Sequence, residues 1–189
     1  RPEAPISQQL YDESFITITE NRVFSPIEGV YVGTKDTSKA NPDGSDHYYV
    51  GRSSDYIYRT FLKFDTGAAR SPSRRYEPYW PTEFKEIVNA VLHARSAYVG
   101  GSETTPVDIV EVLVENWTSE MNWDTAPWNM IGDTVASDSP IPFSTVDNNE
   151  WIITEYADVK FSKGDNLSVL IKSHDENVEY AVAYERKET

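Results

Sequence analysis

Short runs of apolar and β-branched residues, separated by polar turns, dominate the hydrophobic pattern of this chain. In the clearest run, apolar and charged side chains alternate with the period of two that is typical of a β-strand. One face of this strand carries Leu62 and Phe64, and the other carries Arg59, Phe61 and Lys63. The alternation predicts a strand in a sheet that has one buried face and one face exposed to water.

Similar segments recur along the whole chain with turn residues between them. Strands are predicted at 15–19, 30–33, 48–51, 58–65, 87–98, 107–114, 151–153, 167–171 and 180–184. The segment 107–114 is the most apolar of these, which predicts a deeply buried strand, and residues 154–159 are expected to form one helical turn. Many short strands without a sustained 3.6-residue period predict an all-β antiparallel fold, either two packed sheets or a barrel, with few or no helices.

A long insertion at 67–83 interrupts the pattern with prolines and aromatic residues. Its basic and aromatic side chains form a candidate contact site: Arg74, Arg75, Tyr76, Tyr79 and Trp80. They are suited to stacking on sugar rings and pairing with carboxylates, or to anchoring a protein interface. A loop folded onto its own sheet is the third interpretation. Trp117 and Trp123 are instead expected to be core and corner residues.

The chain is strongly acidic, with 17 basic and 31 acidic residues and a formal net charge of −14. Nucleic acids and anionic membranes are therefore unfavourable partners, since both require a basic surface. No apolar stretch approaches the roughly 20 residues needed to span a bilayer, so no membrane insertion is expected. Clustered carboxylates are typical of a solvated surface or of divalent-cation sites.

One turn combines several oxygen ligands suited to Ca²⁺. Asp43 and Asp46 flank a glycine and a serine, and Asp36 precedes them in the same loop. Loop carboxylates of this kind hold Ca²⁺ in many β-sandwich proteins, which makes Ca²⁺ the one cofactor that the sequence indicates. The alternative is an Asx-turn whose carboxylates are only solvated.

Catalytic motifs are absent from the sequence. There are no cysteines, and the three histidines, His47, His93 and His174, are far apart along the chain. Neither a nucleophile elbow nor a phosphate-binding loop occurs. The sequence therefore predicts a protein that is not an enzyme and has no catalytic residues.

Several segments, taken in order, resemble the DNRLRE-type modules of secreted bacterial and archaeal proteins, a family related to alginate-binding carbohydrate-binding modules. Residues 58–65 resemble the arginine-led strand of that family, and Trp117 and Trp123, with the residues up to Pro127, resemble its tryptophan signature. The closing segments of the family resemble residues 151–158, 166–171 and 180–186, and its next core strand resembles residues 88–94. The resemblance implies a jelly-roll sandwich, an extracellular location and no catalytic residues.

The chain departs from that family at its end, where a last strand beginning with Arg-Pro is usual but this sequence stops. Residues 1–6 resemble the missing strand moved to the front. They begin an extended arm at 1–13, ahead of a sandwich domain at 14–189. A sandwich that lacks one strand exposes an edge, and the arm, through Pro2, Ile6 and Leu10, is expected to fill it. The arm has two possible acceptors: its own domain or a neighbouring subunit.

Two functions follow as hypotheses. The first is a secreted structural or adhesive protein, a self-associating subunit of a surface filament that uses strand complementation and Ca²⁺. The second is a carbohydrate-binding module of a polysaccharide-degrading enzyme. The start at Arg1, without a methionine or an apolar leader, is what export and removal of a signal peptide would leave.

Overall fold

Nine β-strands and one α-helix account for the regular structure of the described residues, apart from two 3₁₀ turns at Thr66–Ala69 and Trp128–Met130. The structure is a computed structural model that describes residues 19–44, 46–73, 83–139 and 148–186. The elements, in chain order, are β1 (Glu28–Gly33), β2 (His47–Ser53), β3 (Tyr56–Phe64), β4 (Val91–Gly101), β5 (Val107–Val112), β6 (Ile131–Asp138), β7 (Asn148–Ile152), α1 (Thr154–Lys163), β8 (Leu167–Ser173) and β9 (Tyr180–Glu185).

Every strand pairing is antiparallel, and the hydrogen-bonded path runs β6-β5-β8-β3-β2-β9-β4-β7, with β1 added to β3. The sheet curls until its two ends, β6 and β7, lie side by side, so that it is nearly closed like a barrel. Strand β3 makes the connection between the two halves. It pairs with β2 through Tyr56 to Tyr58 and with β8 through Thr60 to Phe64.

The interior of the curled sheet holds the larger of two hydrophobic clusters. Alternate residues of the strands point inward, as the two-residue period of a strand requires. Trp151 is the largest side chain that is fully buried there, and its ring meets Tyr184 edge to face at 6.0 Å. Its indole N–H donates to the carbonyl of Val107 at 2.9 Å, so the polar atom of this core residue is satisfied.

A second cluster lies on the opposite face of β1, β3, β5 and β8, beneath the segment 114–130. Phe61, with no exposed surface, packs against Trp117 and Trp128 at ring distances of 5.7 and 5.5 Å. Lys63 is also buried. Its ammonium donates to the carbonyl of Trp117 and lies over the indole ring, and these contacts offset the loss of water around the charge. The prediction that this face of the strand is exposed to water is therefore wrong. A tryptophan-rich loop covers it.

The helix α1 is longer than the single turn expected at 154–159. It buries Tyr156, Ala157 and Phe161, and it ends at Gly164, which adopts the left-handed conformation with φ of 74°. The hydroxyl of Tyr156 donates to the carbonyl of Ser168 at 2.7 Å, which fixes the helix on β8. No helix within the described ranges is both long and apolar enough to cross a membrane.

Most of the predicted strands are confirmed, and the fold is antiparallel and mostly β as expected. Strand β6 was not predicted, because its sequence mixes glycine, aspartate and serine with few apolar residues. Most of the strand expected at 15–19 falls outside the described residues, as does the arm.

Candidate functional site

The two ends of the curled sheet meet at a seam between β6 and β7, and no backbone ladder joins these two strands in the described part of the chain. A side chain bridges them instead. The carboxylate of Asp138 accepts the backbone N–H of Glu150 at 3.1 Å and the side-chain amide of Asn149 at 2.8 Å. Among the described residues, a carboxylate therefore spans the seam where a paired sheet would have a ladder of backbone hydrogen bonds.

The outer edge of β7 can be read from its pairing with β4. The N–H of Ile153 donates to the carbonyl of Ala90, so the N–H groups of alternate residues Glu150 and Ile152 point the other way, toward β6. The side chain of Ile152 is 70% exposed. An extended segment lying along this edge would find an outward N–H at Glu150 and an apolar side chain at Ile152.

Behind the seam, a buried hydrogen-bond chain fixes the position of Asp138. The hydroxyl of Tyr184 donates to Oδ1 of Asn149 at 2.7 Å, and the amide of Asn149 donates to Asp138. Burial, with added effects of Tyr180 and Asp138, raises the pKa of Tyr184 well above its ordinary value. Tyr184 therefore stays protonated and acts as a hydrogen-bond donor.

The chain that follows the arm is anchored at one end of the curled sheet. The guanidinium of Arg22 donates to the carbonyl of Ser71 at 2.6 Å, and the carboxylate of Glu20 accepts the N–H of Ser73 at 3.0 Å. The segment 66–73 is itself bound to α1, since Arg70 donates to the carbonyl of Phe161. This is the end of the sheet at which β6 begins and β7 ends.

The outer face of β3 and β8 carries a charged cluster that was not predicted. The guanidinium of Arg59 pairs with the carboxylate of Glu176 through two bonds of 2.9 and 2.6 Å. It also lies over the rings of Trp123 and Trp128 at 5.1 and 4.8 Å. Lys172 approaches the same carboxylate at 3.8 Å. The sequence signals for this cluster were weak: Arg59 in β3, Lys172 in β8 and Glu176 in the turn that follows β8.

A second pair joins β5 to the residue that follows β8. The carboxylate of Asp108 is buried and lies 2.9 Å from Nδ1 of His174, whose side chain is 62% exposed. The hydroxyl of Ser137 donates to the other oxygen of Asp108. Because the serine bonds the carboxylate and not the imidazole, these three residues are not arranged as a nucleophilic triad.

The acidic loop between β1 and β2 holds the three predicted Ca²⁺ ligands. Two of them, Asp36 and Asp43, already have partners within the loop. Asp36 accepts the hydroxyl of Ser38 at 2.7 Å, a bond that is the main cause of the lowered pKa of Asp36. Lys39 lies 3.5 Å from the same carboxylate. The backbone N–H of Ser38 completes an Asx-turn at 3.2 Å.

Asp43 is paired in the same way. Lys35 lies 3.3 Å from its carboxylate. The pKa of the buried Tyr58 is raised by burial and then by the negative charge of Asp43. The third predicted ligand, Asp46, is exposed. Among the described residues no three acidic or histidine side chains are grouped for a metal ion. Ca²⁺ binding by this loop stays a prediction, and it would require Lys35 and Lys39 to move away.

The other predicted site residues lie outside the described residues. They are the arm residues Pro2, Ile6 and Leu10, and the insertion residues Arg74, Arg75, Tyr76, Tyr79 and Trp80. Trp117 and Trp123, by contrast, are described: Trp117 is buried and Trp123 is half-buried, as core and corner residues should be.

Comparison with known proteins gives no family. No protein-family model matches the chain, and a search of curated proteins finds no match. The resemblance to DNRLRE-type modules stays a prediction from the residues that carry it.

Proposed function

We propose that this chain is a non-enzymatic extracellular structural or adhesive protein that associates with copies of itself by strand complementation. One observation carries the proposal: within the described ranges, the path of the sheet ends in two adjacent strands, β6 and β7, that a side chain bridges and no ladder joins. Unpaired strand edges of this kind are templates for an added strand.

The finer fold that we propose is a two-sheet jelly roll. The change of partner along β3, from β2 to β8, supports it, because a strand that leaves one sheet for another joins the two layers of a sandwich. In that arrangement β6-β5-β8-β3-β1 forms one layer and β2-β9-β4-β7 forms the other. The seam is then the side at which the two layers remain unjoined.

The donor in this proposal is the arm, residues 1–13. The chain enters the described structure at Thr19 and is bound by Arg22 to Ser71, at the end of the sheet where β6 begins and β7 ends. A fully extended segment of 18 residues spans up to about 60 Å, which exceeds the diameter of about 40 Å expected for a domain of this size. That length is sufficient to reach the seam of a neighbouring subunit.

The apolar residues of the arm match the chemistry of the edge. Ile6 and Leu10 share one face of an extended segment, since their positions differ by an even number. The exposed Ile152 of β7 offers an apolar contact, and the N–H of Glu150 offers a backbone donor. We propose a neighbouring subunit as the acceptor, which yields a homopolymer, with Ca²⁺ bound by Asp36, Asp43 and Asp46 near the subunit contacts.

A carbohydrate-binding module is the second candidate, and the Arg59 cluster is the observation that favours it. Trp123 and Trp128 are both half-buried, and the Arg59 side chain between them is 22% exposed. Tryptophan faces and an arginine are common in sites that bind acidic sugars. Retention of the protein in a gel that contains alginate, compared with the Trp128→Ala variant, tests this function.

The test of self-association uses charge on the arm. Ile6→Asp with Leu10→Asp places two carboxylates on the proposed buried face, whereas the control, Ser7→Asp with Gln9→Asp, adds the same charge to the opposite face. Size-exclusion chromatography with light scattering, and electron microscopy in Ca²⁺, should show multimers for the parent and the control and monomers for the first variant. Monomers in all three would refute the proposal.

A further inference from the structure

The bridge at the seam has a second consequence, which rests on the proposed function. We propose that Asp138 is a latch: its carboxylate occupies the place of a backbone carbonyl of the donated strand and protects the β7 edge until a partner displaces it. The partner is the extended arm of a second copy of this chain.

The Glu150 N–H can be taken by Asp138 or by an added strand. Glu150 directs its backbone N–H away from β4 and toward β6, where Oδ2 of Asp138 accepts it at 3.1 Å. An added antiparallel strand satisfies an outward N–H of this kind with its own carbonyl oxygen. The Asp138 carboxylate and a donated strand therefore compete for the same N–H group.

Two further hydrogen bonds hold the latch in place. Oδ2 of Asp138 accepts a second bond, 2.8 Å from the amide of Asn149, whose side chain is buried with its residue only 3% exposed. Asn149 is fixed in turn by the hydroxyl of Tyr184. Bonds to an ionised acceptor are stronger than bonds between neutral groups, so the latch is not a loose surface contact.

The latch is a charged side chain at a sheet edge. Natural proteins place inward-directed charges on edge strands to prevent unwanted pairing. Asp138 is the last residue of β6, and its carboxylate reaches the backbone of β7. It protects the edge of the free subunit, and it must release Glu150 before a strand can be added.

The test compares full-length variants. Asp138→Ala removes the latch, Asp138→Asn keeps an oxygen that accepts the Glu150 N–H, and Asp133→Ala removes a charge from the exposed part of the same strand as the control. Two quantities are measured: the rate of multimer formation by light scattering after dilution from a dissociating buffer, and hydrogen exchange at the Glu150 amide of the monomer.

We expect Asp138→Ala to form multimers about tenfold faster than the parent, the factor that corresponds to loss of one hydrogen bond to a charged group. Its Glu150 amide should also exchange faster. Asp138→Asn, which keeps an acceptor oxygen but loses the charge, should lie between the parent and Asp138→Ala, and Asp133→Ala should stay within about twofold of the parent. Far-UV circular dichroism checks that each variant keeps its strands.

The latch and the proposed function fail in different ways. If the parent and the Asp133→Ala control form multimers at the same rate as Asp138→Ala, Asp138 does not act as a latch. Strand complementation would still stand. Unchanged exchange at Glu150 in Asp138→Ala would overturn the latch as well. A parent that never forms multimers would overturn strand complementation and, with it, the role of Asp138.

Discussion

Arg59 and Glu176 form a bidentate ion pair, with hydrogen bonds of 2.9 and 2.6 Å from the guanidinium to the carboxylate. The two residues are 117 positions apart in the sequence. The pair joins β3 to the turn between β8 and β9, and it lies against the two tryptophans Trp123 and Trp128. It therefore ties the loop that covers the outer cluster to the strands beneath. We expect the stability of the outer cluster to depend on this contact.

Replacing Glu176 with Gln leaves the half-buried Arg59 without its counter-charge. We expect the free energy of unfolding to fall by about 2 kcal/mol, the cost of losing a charged partner in a site of limited exposure. Urea denaturation measures it, and Glu179→Gln, an exposed residue of the same turn, is the control and should change stability by less than about 0.5 kcal/mol. Equal effects of the two changes would show that the pair does not stabilise the fold.

The buried Trp117 is expected to matter more for stability than the half-buried Trp128. Trp117 packs on Phe61, and its indole N–H donates to Ser168 at 3.2 Å. Trp117→Ala should lower the free energy of unfolding by about 3 to 5 kcal/mol, as large-to-small changes in a core do. The same change at Trp128 should cost clearly less, and an equal loss in urea denaturation would contradict this account of the cluster.

Gly51 occupies a position at which a side chain has no room. Its φ of 100° lies in the left-handed region, and an added Cβ would collide with the carbonyl oxygen of Tyr180 on the paired strand β9. Gly44 has a φ of 63°, but an added Cβ would meet nothing within 4 Å. We expect Gly51→Ala to destabilise the protein by about 3 kcal/mol and Gly44→Ala by about 1 kcal/mol. Thermal unfolding of the two variants measures the difference, and similar melting temperatures would argue against it.

The tyrosine on α1 should make stability depend on pH in the alkaline range. Burial raises the pKa of Tyr156 to about 12, above the value of about 10 for a tyrosine in an unfolded chain. The folded state therefore keeps the proton between these values while the unfolded state loses it. The stabilising effect is complete below about pH 10 and is lost as the pH rises toward 12.

Tyr156→Phe removes this titration, so its unfolding free energy should fall less steeply between pH 10 and 12 than that of the parent. Denaturation at a series of pH values measures both slopes. Identical slopes would indicate that Tyr156 ionises normally in the folded protein.

Calcium provides a further test of the acidic loop. If Asp36, Asp43 and Asp46 bind Ca²⁺, millimolar Ca²⁺ should raise the melting temperature of the parent, because a ligand that binds only the folded state stabilises it. Asp43→Asn should abolish the rise, and Asp55→Asn, an exposed residue of the next turn, should not. A melting temperature that is the same with Ca²⁺ and with a chelator would remove the metal from the proposal.

Much of the fold could be predicted from the sequence because most strands carry a clear local pattern. The alternation from Arg59 to Phe64 located β3, but it could not reveal that the loop containing Trp117 returns to cover the outer face. Strand β6 was missed because Ile131–Asp138 is polar at an edge, where burial is low and the pattern is weak.

The candidate site was harder to predict than the fold. Asp138 and Asn149 belong to different strands, and their contact depends on how the whole sheet curls, which no local pattern encodes. The acidic loop was located from its sequence. The lysines that pair with Asp36 and Asp43 were not anticipated, because charge pairing depends on side-chain placement within the loop.

A disulfide between subunits tests the central claim most directly, and the absence of cysteine from the sequence makes the experiment clean. One batch of protein carries Leu10→Cys and a second carries Ile152→Cys, and the two are mixed, assembled and oxidised. Strand complementation predicts a covalent dimer of the two chains on a non-reducing gel, and none when Tyr98→Cys, equally exposed on β4, replaces Ile152→Cys. Dimers that form equally with both partners, or with neither, would contradict the insertion of the arm at the β6–β7 seam.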